Sequence, residues 1–396
     1  MNNPVTLIDP GTTKLAVLIC RKGFNGGLEL LGLGRAQYDG VQNDGWESEN
    51  ITGQALDSAL GQARKMAGIR ISRCILGIPN EFCGLIRNEA ELSLGRPVSK
   101  QDVMELRRRA AEYSLPAPWE VANVVYGAFS VDGRSVGNPL GISCEKLELQ
   151  ASLICIETDF ADQMTRFLRS RQIEVSKWVP VPLACGEAML TQEDRHKGII
   201  WVDTGGQSTD IAVYKNGIPV FYDWLPLGGD DISRDIAIGI DISIDEAERL
   251  KRYCVLGLAF DDDSEDSAMQ MPIRDGQHIQ NIPMGFLQEI VESRIEEILE
   301  LVVKRVEAEG LLADSQRVVL TGGGLSLFRG IRELGSRILG LPVYLGVPDV
   351  IGLSSPTLSS VYSIGCYGIK DKPYAGWSLS GIWGTLRRKL ISKIKI

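Results

Sequence analysis

Histidine is nearly absent from this 396-residue sequence, which has only His196 and His278, both in polar or turn-like surroundings. A multi-histidine metal centre is excluded, and a histidine-based triad has few candidates. Cysteine is present but unorganised. Cys20, Cys74, Cys83, Cys144, Cys155, Cys185, Cys254 and Cys366 stand singly, with no Cys-x-x-Cys pair, and read as reduced core thiols. An excess of base is also missing. The net charge of -9 and a pI near 5.1 argue against a nucleic-acid partner, because neutralising phosphates requires a basic face. Long clean apolar runs are lacking too: the uncharged stretch Val350 to Ile369 contains Pro356, glycines and many hydroxyl residues, and reads as loop plus buried helix. The start of the chain goes into a strand-like segment, Val5 to Ile8, without a basic region, apolar stretch or cleavage site. No secretory signal is read there, and the cytoplasm is expected.

What is present is a globular composition, 44% apolar and 23% charged, in a chain long enough for two or more lobes. Short β-rich runs alternate with helical stretches throughout, the pattern of an α/β protein. Strands are expected at Thr6 to Ile8, Leu15 to Cys20, Arg73 to Ile78, Gly198 to Val202, Ile211 to Tyr214 and Val318 to Thr321. Helices are expected at Ala55 to Ala67, from Ser99 with a capping box to Asp102, from Ser243 with one to Glu246, and over Phe286 to Ala308. Residues 80–172 change in texture and read as an inserted block. Its Arg107, Arg108 and Arg109 form a solvated face. The acidic loop Asp261 to Asp266 lacks the glycine and terminal glutamate of a calcium loop and reads as solvated acid.

One pattern occurs twice. Leu-Ile-Asp9-Pro-Gly11-Thr12-Thr13-Lys14 and Trp-Val-Asp203-Thr-Gly205-Gly206-Gln207-Ser208-Thr209-Asp210 each run strand, aspartate, glycine-containing turn, strand. Such turns aim backbone N–H groups and hydroxyls into a concavity suited to phosphate oxygens, and the strand-end carboxylates suit a hydrated divalent cation. Alone, either turn is equally a plain hairpin. A third element joins them: Val318 to Leu320 feeds Thr321 and Gly322, Gly323 and Gly324, backbone without side chains that a nucleoside or phosphate can approach closely. Glu248 and Lys251, three apart on the Ser243-capped helix, share a face. No Gly-x-x-x-x-Gly-Lys-Ser/Thr loop or Gly-x-Ser-x-Gly elbow competes with these elements.

In this order the elements resemble the actin, Hsp70 and sugar-kinase ATPase superfamily, and over nearly the whole chain they most resemble the FtsA family of bacterial cell-division proteins. The resemblance rests on Asp-Pro-Gly-Thr-Thr-Lys14, Val202-Asp-Thr-Gly-Gly-Gln-Ser-Thr-Asp-Ile-Ala-Val-Tyr214, Leu227-Gly-Gly-Asp230, Asp245-Glu-Ala-Glu-Arg-Leu-Lys251, Leu320-Thr-Gly-Gly-Gly324 and Gly340-Leu-Pro-Val343. It implies a two-lobed α/β fold: subdomain 1A over 1–79 and 173–195, an inserted subdomain 1C over 80–172, 2A over 196–229 and 311–370, and 2B over 230–310. A linker and an amphipathic membrane-targeting helix would occupy 371–396.

It further implies ATP and Mg as cofactors. Asp9 and Asp203 would orient the metal through water; Gly11, Thr12, Thr13, Lys14, Gly205, Gly206, Gln207, Ser208 and Thr209 would hold phosphates; Glu248, Lys251 and Gly322 to Gly324 would hold the nucleoside. Val181 stands before Pro182-Leu183-Ala184 where many relatives carry a water-positioning glutamate, and Glu187 is not a trustworthy substitute. ATP binding with weak or absent hydrolysis is therefore expected. The implied partners are further copies of the chain in a protofilament, the FtsZ C-terminal peptide on 2B with Arg294 as a candidate contact, later divisome proteins, and the cytoplasmic face of the membrane at the division site. A PilM-like pilus-assembly protein and a small-molecule kinase of the same superfamily remain as alternatives.

The end of the sequence carries its own signal. Leu379, Ile382, Trp383, Leu386, Leu390 and Ile394 fall on one helical stripe, with Arg387, Arg388, Lys389, Lys393 and Lys395 around it and no acid after Asp371. A terminal helix docked on the body would read similarly, but cations with an interfacial tryptophan favour a membrane-surface helix. The mild total charge thus conceals an acidic body and a basic end.

Overall fold

The computed structural model describes residues 3–24, 26–38, 41–42, 45–46, 49–257, 270–275 and 278–369. The acidic loop at 261–266 and the amphipathic segment at 377–396 lie outside the described residues, as does the side chain of His278.

Two five-stranded sheets of the same topology make up the framework. In the first, β1 (Val5–Pro10), β2 (Lys14–Lys22) and β3 (Leu28–Gln37) form an antiparallel meander; a small hairpin, β4 (Val41–Gln42) and β5 (Gly45–Trp46), and helix α1 (Glu49–Ala67) lead to β6 (Arg73–Ile78), parallel to β1. Residues 83–157 leave this lobe as β7 (Cys83–Pro97), α2 (Lys100–Ala111), β8 (Trp119–Val131), β9 (Arg134–Val136) and β10 (Ser143–Glu157), a separate four-stranded sheet in the order β7-β10-β8-β9. The chain returns through α3 (Thr158–Ser170) and β11 (Glu174–Pro180), completing the order β11-β6-β1-β2-β3.

After α4 (Val181–Met189) and α5 (Gln192–Lys197) the pattern recurs. Strands β12 (Ile199–Thr204), β13 (Thr209–Lys215) and β14 (Ile218–Leu225) form the second meander. Then come α6 (Gly229–Ile240), α7 (Ile244–Lys251), the hairpin β15 (Gln270–Asp275) and β16 (His278–Pro283), and α8 (Met284–Ala308). Strand β17 (Arg317–Thr321), α9 (Ile331–Leu339), β18 (Val343–Leu345) and α10 (Ser359–Gly368) finish the lobe, whose sheet order is β14-β13-β12-β17-β18.

The central strands are apolar on both faces, as required where helices or a second sheet cover both sides. Leu7 and Ile8 on β1, and Ile200 to Val202 on β12, have no exposed surface. Between the sheets lies a shared core in which Leu7, Leu18 and Val181 meet Trp201, Tyr214, Val361 and Ile364, so α4 and α10 are clamped by both lobes. The second lobe's outer core rests on α8, whose stripe Leu287, Val291, Ile295, Ile298, Leu299, Val302 and Val306 is wholly buried. At roughly 1.5–3 kcal/mol per side chain, that stripe contributes on the order of 10–20 kcal/mol before chain entropy is counted.

The inserted block differs from its expected limits at one end. The sequence reading extends it to residue 172 and so includes α3, yet Phe160, Ala161, Met164 and Leu168 are buried with Ile8, Leu15, Leu56 and Leu60 of the first lobe. The separate sheet ends with β10, because only residues before 158 have their own core around Leu106, Leu147 and Leu153. Its helix α2 is capped as expected: Ser99 accepts from the Asp102 N–H while its own N–H donates to the Asp102 carboxylate. Arg108 and Arg109 pair with Glu105 on the solvent side, whereas Arg107, expected there too, lies over the rings of Tyr126 and Phe129. The eight cysteines are free thiols, six of them buried. No described helix is long and apolar enough to cross a membrane.

Candidate functional site

The two repeated turns meet at the carboxyl ends of β1 and β12, the position where an open parallel arrangement leaves a crevice because its strand order reverses. The first hairpin closes at Pro10 paired with Leu15, leaving Gly11, Thr12, Thr13 and Lys14 between them. The second closes at Thr204 paired with Thr209, and its turn is held by the Gly205 N–H donating 2.8 Å to the Ser208 carbonyl. The turns touch: a β-carbon on Gly206 would lie 2.5 Å from the hydroxyl and methyl of Thr13. Only glycine permits this approach.

Two further glycine segments, Gly228 to Gly229 and Gly322 to Gly324, nest on the second turn. The N–H groups of Gly229 and Asp230 donate to the Gly205 and Gly206 carbonyls at 3.0 and 2.8 Å, and the Gly324 N–H donates 2.8 Å to the Thr204 carbonyl. Gly322 has a φ of +86°, and a β-carbon there would lie 2.2 Å from an Asp203 carboxylate oxygen. The glycine run after β17 is thus shaped against the second turn, at the mouth of the same crevice.

Four carboxyl groups and one ammonium face one another here. Asp203 lies directly opposite Asp210 across the β12–β13 ladder, a like-charged pair that destabilises a sheet unless something compensates it. Burial, then the nearby Asp9 charge, pushes Asp203 up to about 7; burial pushes Asp9 up to about 6 although Lys14 and a hydrogen bond from Ser360 pull it down. Asp210 is raised well above the usual carboxylate range by burial and by Glu81, and Glu81 is itself raised by burial. Burial lowers Lys14, against the pull of Asp9 and Asp203.

An arrangement with more acid than one lysine offsets calls for a further cation. One oxygen of Asp210 is buried without a hydrogen-bond partner, a free acceptor of the kind a hydrated divalent ion would satisfy. Among the described residues no group of three or more His, Cys, Asp or Glu side chains could ligate an ion directly, so the donor set fits such an ion only through water, beside turns able to take phosphate oxygens.

Of the residues singled out from the sequence, the structure brings Asp9, Gly11 to Lys14, Asp203 and Gly205 to Ser208 together at one crevice. Lys14 reaches across to donate to the Thr357 carbonyl. Ser208 is buried and donates to Glu81. Two expectations require correction. Thr209 does not face the crevice: it is fully buried and its hydroxyl donates 2.8 Å to the Leu227 carbonyl, because as the first residue of β13 it must close the ladder. Lys251 is also buried, with its ammonium on the Gly229 carbonyl at 2.8 Å, Ser233 at 2.7 Å and Glu248 at 2.5 Å. Its three donors are taken, so it fixes the start of α6 instead of reaching outward. Glu248 retains exposed surface beside it and also accepts from Ser233 at 2.6 Å.

Sequence reasoning missed Glu81 and the role of Asp210. The first comes just after β6, beyond Pro79 and Asn80, whose side-chain N–H donates 2.7 Å to the Asp223 carbonyl of the other lobe. Its only signal was its place after a central strand. Glu187 lines a surface groove with Ile351 and Ile369, and Val181 is buried at the start of α4.

The chain is similar to known proteins over most of its length. The family model described as Cell division protein FtsA matches residues 200–363, and that of the SHS2 domain inserted in FtsA matches residues 85–155, the separate sheet. The FtsA protein of Bacillus subtilis is 28% identical over 354 residues, covering 88% of this chain and 80% of that protein. That of Pseudomonas aeruginosa is 27% identical, covering 94% and 91%. Among solved structures, the PilM-PilN type IV pilus biogenesis complex superposes with a TM-score of 0.62 at 16% identity, over 92% of this chain and 98% of that one. MreB5 of Spiroplasma citri bound to AMPPNP does so at 0.53 and 14% identity, over 98% of each. The fold is actin-like, with an inserted SHS2 domain, and the chain belongs to the FtsA family of cell-division proteins.

Proposed function

We propose that this chain is an ATP-binding, actin-like cell-division protein that polymerises on the cytoplasmic face of the membrane at the division site, tethers FtsZ there and recruits later divisome proteins. The observation that carries the nucleotide reading is the pair of touching turns flanked by a buried carboxylate cluster. Bound magnesium would supply charge neutralisation between phosphate oxygens and Asp9, Asp203 and Asp210. The protein's own part is positional: Gly11 to Lys14 and Gly205 to Ser208 grip the phosphates from opposite lobes, and Gly322 to Gly324 leave room for the nucleoside. Nucleotide would then hold the lobes together across a crevice otherwise spanned by contacts such as Asn80 to Asp223.

For the partner peptide, the face between α6 and α8 is a groove of about 410 Å³ lined by Arg294, exposed Ile238 and Phe286, Asp235 and Glu297. Arg294 is paired with Asp235 and Glu297, so an acidic peptide would have to exchange with these carboxylates. For the membrane, the stripe from Leu379 to Ile394 with its cations supplies both apolar burial and about 1 kcal/mol per cation at an anionic surface. A filament multiplies these single contacts through effective concentration.

Co-sedimentation of the full chain with phosphatidylglycerol vesicles, compared with a chain ending at Lys372, tests the anchor. Equal binding of the two would refute it. Electron microscopy of the ATP-loaded chain on a lipid monolayer tests filament formation; discrete particles without filaments would refute the polymerising reading.

A further inference from the structure

A wide surface groove lies at the far end of β2 from the crevice, between the β2–β3 turn and the segment that precedes α10. It encloses about 1350 Å³ and is floored by apolar groups including Phe24, Val350, Ile351 and Ile369. Phe24 and Ile351 are almost fully exposed, an unusual state for two large apolar side chains sharing one depression. Glu29, Glu187 and Asp349 line it together with Lys22, and Glu29 is paired at 2.6 Å with Arg21 beside the groove, so an incoming cation would exchange with that arginine there. Ile369, which precedes the segment 370–376 in the chain, is itself a lining residue of this groove.

The sequence beyond Ile369 has complementary chemistry. Residues 377–396 carry the apolar stripe and five cations with no acid. The intervening seven residues, 370–376, reach at most about 25 Å when extended, enough to lay the stripe back into the groove. An amphipathic helix in an apolar groove, anchored at three- and four-residue spacing, is a recurrent mode of recognition.

We propose that this groove is the docking site of the chain's own segment 377–396, which rests there in the absence of membrane. The stripe that would enter lipid covers Ile351 and Phe24, and Arg387, Arg388 and Lys389 face the acidic rim. Groove and membrane then compete for one apolar face. Attachment requires undocking, and the apparent lipid affinity falls by the fraction of chains left undocked. The proposal rests on the reading of 377–396 as a membrane-surface helix.

Hydrogen exchange on the full-length chain tests docking without any lipid. Amides of residues 22–30 and 349–353 exchange more slowly in the native chain than in full-length Trp383→Asp, and phosphatidylglycerol vesicles release that protection. Because Ile351 is exposed, Ile351→Asp preserves the fold; it is expected to bind the same vesicles about tenfold more tightly if nine chains in ten are docked. Equal exchange in the native chain and Trp383→Asp overturns the proposal. So does protection that increases on vesicles, which would make the groove a lipid contact, or protection that grows with protein concentration, which would make it a contact with a second copy. If vesicles fail to bind any variant while protection persists, docking stands and the membrane reading falls. If vesicles bind but no protection is seen, the reverse holds.

Discussion

The contact between Gly206 and Thr13 makes a direct test of whether the two glycine turns bind nucleotide as one unit, as proposed above. In Gly206→Ala the new methyl would stand 2.5 Å from the Thr13 hydroxyl and methyl and 3.0 Å from its β-carbon. Ordinary carbon contacts need ~3.5–4.0 Å, so the turns must separate by about 1 Å. The lobes' cores lie elsewhere, around α8 and α1, and should not feel the change. The loss therefore falls on nucleotide binding: about 2–3 kcal/mol, or roughly a 30- to 150-fold weaker Kd for ATP, with a nearly unchanged Tm. Thr13→Gly removes all three clashing atoms, so the double variant Gly206→Ala, Thr13→Gly should bind more tightly than Gly206→Ala alone. Titration calorimetry of the four proteins completes a double-mutant cycle. Wild-type affinity in Gly206→Ala, or strictly additive losses in the double variant, would refute the geometry.

The same structure supports three more expectations. Ile298→Ala on α8 removes a fully buried side chain from the second lobe's core and should cost about 2–5 kcal/mol in chemical unfolding; a cost below about 1 kcal/mol would contradict the stripe. In the absence of metal and nucleotide, Asp9 and Asp203 bind protons more tightly when folded, about 6 and 7, than when unfolded, near 3.8. Stability should therefore fall as pH rises from about 4 to about 7, and Asp203→Asn should flatten that fall in thermal scans; an unchanged profile in the variant would refute the assignment. With Val181 in place of a carboxylate, steady-state ATP turnover should be weak or absent; a rate of many per minute, abolished by Asp203→Ala, would show that another group activates water.

Much of the arrangement is legible in the chain because it depends on local chemistry. The repeated strand-Asp-glycine-turn-strand segments, the Ser99 cap and the α8 stripe need only neighbouring residues to form, and all of them are found. The resemblance carried by those segments likewise points to the family without any geometry. The limits of the inserted block are less legible. Nothing in the sequence of α3 says which of two cores will take Phe160 and Leu168, since an amphipathic helix fits either.

Sequence alone determined the presence and order of the repeated glycine turns, the apolar cores and the contrast between an acidic body and a basic segment at 377–396. The tertiary structure decided which side chains of those segments face the crevice. Thr209 and Lys251 turned inward because closing a ladder and fixing the α6 terminus satisfied their polar atoms first, whereas Glu81 and Asp210, from different lobes, became neighbours of Asp9 and Asp203 only when the sheets met. Histidine, so scarce in this chain, has no part in the crevice as described: its titratable groups are Lys14 and carboxyls that burial holds above their usual range.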